Sequence, residues 1–214
     1  MKAQDKNKSA RVFFALWPND AERAALAAWQ PALHKLCGGR SMRADTLHAT
    51  LLFLGDVVLH RLEALQLAAQ EVEWISFDLA FDVAHYWGHN HIVFAAPHIV
   101  PPQLAQLVQA LEQRLSKHRF HFDQRQYKPH ITLLRHARWS DAPKVGNPLP
   151  TAGCTKGRQS TVLQAERGVD TAELTPPLPE MQRVLWRIRN FALVQSVPDE
   201  KGANYQVLAR FVPR

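Results

Sequence analysis

Eleven histidines occur in this chain of 214 residues, and two of them, His48 and His130, are set apart because each has threonine two positions later. In an extended strand residues i and i+2 point to the same face, so His48 projects with Thr50 and His130 with Thr132. An imidazole titrates near neutrality, so of two imidazoles one can take a proton from water while the other gives one to a leaving alkoxide. Two threonine hydroxyls beside them can donate to non-bridging oxygens as charge develops. Brought together, the two pairs suit a tetrahedral anion and need no metal; kept apart, they are ordinary cross-strand hydrogen-bonding groups on a half-exposed sheet.

The elements that must bring them together recur. Arg11 to Pro18 reads as a strand, Asn19 and Asp20 as caps, and Ala21 to Leu36 as a helix, before a strand from His48 to Leu54 that turns at Gly55-Asp56. The order returns with a strand from His91 to Pro97, a helix opened by Pro101 and Pro102 and running to Leu115, and a strand from His130 to Leu134. Val12 maps onto Val93 with an offset of 81 (93 − 12), and His48 onto His130 with one of 82 (130 − 48), the signature of a duplicated half. A helix over His60 to Glu71, a strand over Ser76 to Tyr86, and a terminal hairpin of Trp186 to Val197 with Tyr205 to Val212 complete an α+β chain with antiparallel pairing and outer helices. Met1 to Ala10 reads as a loose tail, residues 11–214 as one unit, and Ser140 to Arg183, with six prolines and weak periodicity, as a loop insertion.

Composition bounds the function. With 46% hydrophobic and 21% charged residues the chain is neither disordered nor fibrous, and no apolar run approaches the roughly 20 residues of a membrane-spanning helix. Two distant cysteines, Cys37 and Cys154, argue against a disulfide framework and for a reducing, cytoplasmic setting. A net charge of +7 favours an anionic partner.

The segments LHATLLFLG and PHITLLR resemble the two His-x-Thr signatures of the 2H phosphoesterase superfamily, and most closely its LigT-like RNA 2′,3′-cyclic phosphodiesterases, the 2′-5′ RNA ligase family. The opening RVFFAL, the lead-in from Arg43 to Leu47 and the FALVQS and YQVL strands are similar too, so the resemblance spans most of the chain. It implies a bilobal fold of two antiparallel sheets related by a pseudo-twofold axis around a central groove, and hydrolysis of 2′,3′-cyclic phosphate at RNA 3′ ends to a 2′-phosphate, without cofactor or metal. It further implies that His48 is the general acid and His130 the general base, although near-symmetry leaves an exchange of roles open. Thr50, Thr132 and Arg135 are implied phosphate ligands, and Phe14 an implied base platform. The family's connection at Ser140 to Arg183 is shorter; here it carries Lys144, Lys156, Arg158, Arg167 and Arg183, which either extend an RNA path or decorate a tolerated loop.

Each secondary candidate has a plainer reading. Arg135 lies five residues after His130, where strict alternation aims it at the opposite face unless the strand ends or bulges. Phe14 also reads as a core aromatic, and Arg43 and Lys128, which flank the motifs and could steer phosphate or contact RNA, also read as solvated surface cations. His85, His89 and His91 suggest zinc only weakly, for want of acidic or cysteine ligands at a recognised spacing. The alternatives in function are a 2H enzyme acting on a small cyclic nucleotide and an RNA-end-binding protein without turnover. One chain supplies both His-x-Thr pairs, so a monomer is expected.

Overall fold

The structure is a computed structural model and describes residues 8–139, 181–199 and 202–213. β1 (Ser9–Leu16) leads to α1 (Asp20–Ala27) and α2 (Gln30–Cys37), followed by the two-residue β2 (Arg40–Ser41) and the long β3 (Ala49–Val58). After α3 (Leu62–Gln70) come β4 (Phe77–Phe81), β5 (Val83–Trp87), β6 (Ile92–Ala96), α4 (Pro102–Lys117) and β7 (Ile131–Arg135). The chain closes with β8 (Val184–Ile188), β9 (Phe191–Asp199) and β10 (Gly202–Phe211). One four-stranded antiparallel sheet has the order β10-β9-β1-β3 and the other β2-β7-β6-β5. The pair β4-β8 stands apart as a small third sheet.

The repeat lies in the strand triplets, where β9-β1-β3 corresponds to β5-β6-β7. The register Phe13–Phe53, Phe14–Leu52, Ala15–Thr50, Leu16–Ala49 returns as Ile92–Arg135, Val93–Leu134, Phe94–Thr132, Ala95–Ile131. Both copies skip one residue, Leu51 or Leu133, at a β-bulge straight after the motif threonine. The strand-to-strand offset is therefore 79 (92 − 13) on the first strand, not the 81 expected from matching Val12 to Val93, while 82 (135 − 53) holds on the second.

Local chemistry explains where the elements depart from expectation. The single helix expected over Ala21 to Leu36 is two, because Pro31 lacks an N–H and its ring would strike the carbonyl one turn earlier; the chain breaks at Ala28–Trp29 and restarts with Pro31 in its first turn. Asn19 caps α1 in a reciprocal box, accepting from the Glu22 N–H at 2.9 Å while Glu22 accepts from the Asn19 N–H at 2.8 Å. Gly55-Asp56 does not turn the chain. Leu54 is an extra residue opposite β1 and Gly55 takes φ +74°, a conformation that favours glycine, so the strand bulges and runs on to Val58. That extension pairs with Ser9 and buries Ala10, so the strand begins inside the segment expected to be a tail. Ser76 to Tyr86 splits at Asp82 into strands of different sheets, where the Asp82 carboxylate accepts the His98 N–H at 2.7 Å. Trp186 likewise belongs to β8 rather than to the terminal hairpin. The expected insertion lies, over residues 140–180, outside the described residues.

A single apolar core backs both large sheets. Val12, Phe14 and Leu16 of β1, Leu51 and Leu52 of β3, Val93 and Ala95 of β6, and Leu133 and Leu134 of β7 all enter it. Helix α4 closes one side with Leu104, Leu107, Val108, Leu111 and Leu115, a 3.6-residue stripe. The opposite faces of the two sheets carry separate small clusters, Phe13 with Ala15 and Ile92 with Phe94. Among the described residues no helix is long and apolar enough to cross a membrane.

Candidate active site

His48 and His130 each sit one residue ahead of a strand, and each is aimed by a backbone carbonyl two residues earlier. In the first motif Arg43 O accepts from Thr46 N at 3.0 Å and from Thr46 Oγ1 at 2.8 Å, closing one 3-10 turn. The Thr46 carbonyl then accepts His48 Nδ1–H at 2.7 Å. In the second, Pro129 restricts Lys128 to extended backbone, and the Lys128 carbonyl accepts His130 Nδ1–H at 2.7 Å. A carbonyl can only accept, so both neutral rings carry their proton on Nδ1 and keep the Nε2 lone pair for chemistry.

The duplicated bulge aims the rest. Thr132 lies opposite Phe94 and Arg135 opposite Ile92, and those two β6 residues share a face. The extra residue Leu133 thus turns two successive leucines into the core and swings Arg135 onto the side of Thr132, resolving the face that strict alternation denied it. By the same register Thr50 and Phe53 share a face in the other half, so Phe53 occupies the position equivalent to Arg135. The glycine preceding β2 helps to hold the end of β7: a Cβ on Gly39 would lie 2.6 Å from the Arg135 carbonyl oxygen.

These faces enclose a groove of about 310 Å³. His48, Thr50, His130, Thr132 and Arg135 all line it, with Met42 just after β2, Thr46 in the turn before β3, and Arg11, Phe13, Phe53, Ser196 and Tyr205 along the first sheet. The His48 ring is packed by Phe13 at 4.9 Å between centroids, by Trp17 nearly parallel at 5.4 Å, and by the Tyr205 edge at 5.0 Å. Trp87 at 4.7 Å and Phe94 at 5.7 Å meet His130 edge-on.

Burial among these rings pushes His48 down to about 4; the Thr46 carbonyl opposes the shift, and positive charge at His130 and Arg135 adds to it. His130 is lowered for the same leading reason, opposed by the Lys128 carbonyl and assisted by Arg135. Both rings are therefore neutral in the free groove near pH 7. A bound anion would offset Arg135 and favour protonation of either ring.

The family model that matches residues 17–156 is described as the 2′-5′ RNA ligase superfamily, and it covers both His-x-Thr pairs. The chain belongs to that superfamily. A curated relative, the RNA 2′,3′-cyclic phosphodiesterase of Escherichia coli K12, is 33% identical over 127 residues, 59% of this chain and 72% of the relative. The crystal structure of E. coli LigT complexed with 3′-AMP matches with a TM-score of 0.72 and 25% identity, covering 96% of this chain and 99% of that one. LigT complexed with phosphate matches with a TM-score of 0.65 and 25% identity over 97% and 99%. The 2H architecture expected from the motifs, two antiparallel sheets around a groove, is that of this superfamily member, with β4-β8 in addition.

Three expected contacts are not in the groove. Phe14 is fully buried in the core against Phe191 and Phe211, because β1 alternation gives the groove to Phe13 and the core to its neighbour. Arg43 is paired with Asp45 at 3.1 Å. Lys128 offers its carbonyl, not its side chain. His85 packs on Phe94, His89 on Trp87, and His91 Nδ1 lies 3.1 Å from the Tyr86 hydroxyl; among the described residues no group of three or more His, Cys, Asp or Glu side chains can hold a metal ion. The motifs do not single out Arg11, Phe13, Phe53 and Tyr205, which the fold brings to the groove. For the β1 pair the signal is parity: once Val12, Phe14 and Leu16 are assigned to the core, Arg11 and Phe13 must face the other way.

Proposed function

We propose that this superfamily member hydrolyses 2′,3′-cyclic phosphate ends of RNA to 2′-phosphates by metal-independent acid/base catalysis, as a monomer in the cytoplasm. The observation that carries the reading is the convergence of two His-x-Thr pairs, with identically tethered imidazoles, on one groove that also holds Arg135. LigT forms complexes with phosphate and with 3′-AMP, ligands of the chemical class this reading assigns to the groove.

In the proposed reaction Thr50, Thr132 and Arg135 hold the non-bridging oxygens. His130 Nε2 takes a proton as water oxygen bonds to phosphorus; the bond from phosphorus to O3′ breaks, and protonated His48 gives O3′ its proton. The 2′ ester bond survives, and the two rings return to their starting protonation through solvent. The negative charge of the substrate supports the acid, since it offsets the positive charges that depress His48. The distribution of rings supports the assignment of roles: Phe13, Phe53 and Tyr205 line the groove beside His48, so a nucleoside stacked there keeps its O3′ on the His48 side and leaves the His130 side to water. Ligation, in which a 5′-hydroxyl takes the place of water at the cyclic phosphate to give a 2′-5′ linkage, uses the same two groups in the same roles, and cleavage of that linkage back to the cyclic phosphate exchanges them.

The test is turnover of a short RNA ending in 2′,3′-cyclic phosphate, with EDTA, from pH 5 to 9. Undiminished turnover and a 2′-phosphate product are expected. A 3′-phosphate product would overturn the assignment of leaving oxygen. Binding without turnover would point to an RNA-end-binding protein, and turnover confined to cyclic mononucleotides to a small-nucleotide enzyme.

A further inference from the structure

Two arginines line the groove, and the proposed reaction employs one. Elsewhere the guanidinium groups of Arg23, Arg43, Arg114, Arg125 and Arg187 are matched to Asp20, Asp45, Glu71, Asp123 and Asp78. Arg11, like Arg135, forms no ion pair among the described residues, although Asp56 lies opposite it on β3. Its guanidinium carbon instead lies over the Phe53 ring, 5.0 Å from the centroid, a contact that orients the cation without neutralising it.

Its place along the groove is set by β1. Ala15, opposite Thr50, marks the phosphate seat; Phe13, opposite Phe53, is the next position on that face, and Arg11 is the one after. Successive same-face residues of a strand are about 7 Å apart, so phosphate ligand, aromatic surface and free cation succeed one another in steps the size of a ribose. Across the sheet Arg11 is paired with Ser196 of β9, and Ser196 with Tyr205 of β10, so two hydroxyl-bearing residues that line the groove share its row. A terminal nucleoside whose cyclic phosphate sits at Thr50 and whose base lies over Phe13 and Phe53 extends its 5′ oxygen in this direction.

Resting on the proposed reaction, we infer that Arg11, aided by the Ser196 hydroxyl, seats the phosphate on the 5′ side of the terminal nucleoside. The groove then reads two consecutive phosphates, and its substrate class is an end whose last nucleotide bears a 5′-phosphate or continues into RNA. A guanidinium is suited to this as a planar fork, and the Phe53 ring keeps it pointed along the groove.

The experiment compares kcat/KM for adenosine 2′,3′-cyclic phosphate with and without a 5′-phosphate, in the intact protein, Arg11→Gln and Arg11→Lys. The intact protein is expected to favour the 5′-phosphorylated substrate about tenfold at low salt, a preference that shrinks as salt is added. Arg11→Gln should bring the ratio close to one, and Arg11→Lys should leave it between. Equal turnover of the two substrates by the intact protein would overturn the inference and leave the proposed reaction standing. An equal fall on both substrates in Arg11→Gln would also overturn it, by giving Arg11 a role at the reacting phosphate or in the fold. If the intact protein turns over neither substrate nor an RNA cyclic phosphate end, the proposed reaction fails and takes the inference with it.

Discussion

The half-groove of β9, β1 and β3 and the half-groove of β5, β6 and β7 share strand order, a bulge after the motif threonine, and an imidazole tethered through Nδ1 to the carbonyl two residues back. Along the motif strands Thr50 and Thr132 correspond, and the next position on that face differs, Phe53 in the first half and Arg135 in the second. Three groove-lining rings lie on the first sheet, and the cation nearest the phosphate seat belongs to the second. Symmetry supplies two interchangeable proton carriers. The departure from symmetry gives the groove a direction, because a nucleoside belongs on the ring-bearing side and the reacting phosphate against the arginine. A symmetric groove would admit the substrate either way round and could not distinguish acid from base.

The strongest way to break the comparison is to remove each imidazole in turn. His48→Ala and His130→Ala should each lower kcat/KM on a cyclic phosphate end by roughly 10² to 10⁴-fold. The two losses should differ in kind. Replacing O3′ of the substrate by sulfur makes a leaving group that needs no proton, so this substrate should restore most of the rate of His48→Ala and little of that of His130→Ala. Rescue of His130→Ala alone would exchange the two roles, and rescue of neither would mean that both imidazoles act in binding.

Arg135 distinguishes the halves electrically. Its charge lowers both histidines, so Arg135→Gln should raise both. In kcat/KM the two limbs report the acid and the base of the free enzyme. Both histidines lie below the ordinary imidazole range in the free groove, so the intact profile should peak on the acid side of that range. In Arg135→Gln both limbs should move to higher pH, alongside a loss of about 10- to 100-fold from the missing phosphate contact. The kcat profile of the intact protein should sit above its kcat/KM profile, since the bound anion favours each imidazolium. Unmoved limbs in Arg135→Gln would mean that its charge does not reach the imidazoles.

Much of the site is legible in the sequence because chemistry and strand period coincide in the motifs. His48 with Thr50 and His130 with Thr132 follow from i, i+2 alternation, and the duplicated order of strand, helix and strand follows from apolar patterning. Alternation cannot carry a bulge. Leu51 and Leu133 resemble any strand leucine, yet each adds one residue and reverses the face of the residues after it, which is why Arg135 reads as pointing away. Gly55 reads as a turn for the same reason, since its positive φ serves a bulge as well as a hairpin. Phe14 and Phe13 differ only in parity, and parity is settled by which neighbours are buried. The rings around His48 come from β1 and β10 and from Trp17 just after β1, segments joined only by the tertiary fold.

A finer difference between the halves lies in how each bulge is held. The second sheet has an added edge, β2, and the Leu133 carbonyl accepts from Met42 N at 2.8 Å and from Gln30 Nε2 at 3.0 Å. The same Gln30 amide donates to the Met42 carbonyl at 2.8 Å, and Gln30 is one of only two buried polar side chains among the described residues. No added edge flanks β3, which is the outer strand of its sheet. Gln30 is thus a positioning residue: it fastens the bulge that places Arg135, and it does not itself line the groove. Gln30→Leu should cost about 1 to 3 kcal/mol of stability by leaving buried carbonyls short of a donor. In molecules that remain folded, kcat/KM should fall about five- to tenfold, with the pH limbs moving in the direction of Arg135→Gln. The deciding measurement is the double variant. If Gln30 acts through Arg135, then Gln30→Leu added to Arg135→Gln should lower kcat/KM little further, whereas a merely structural role would make the two losses multiply.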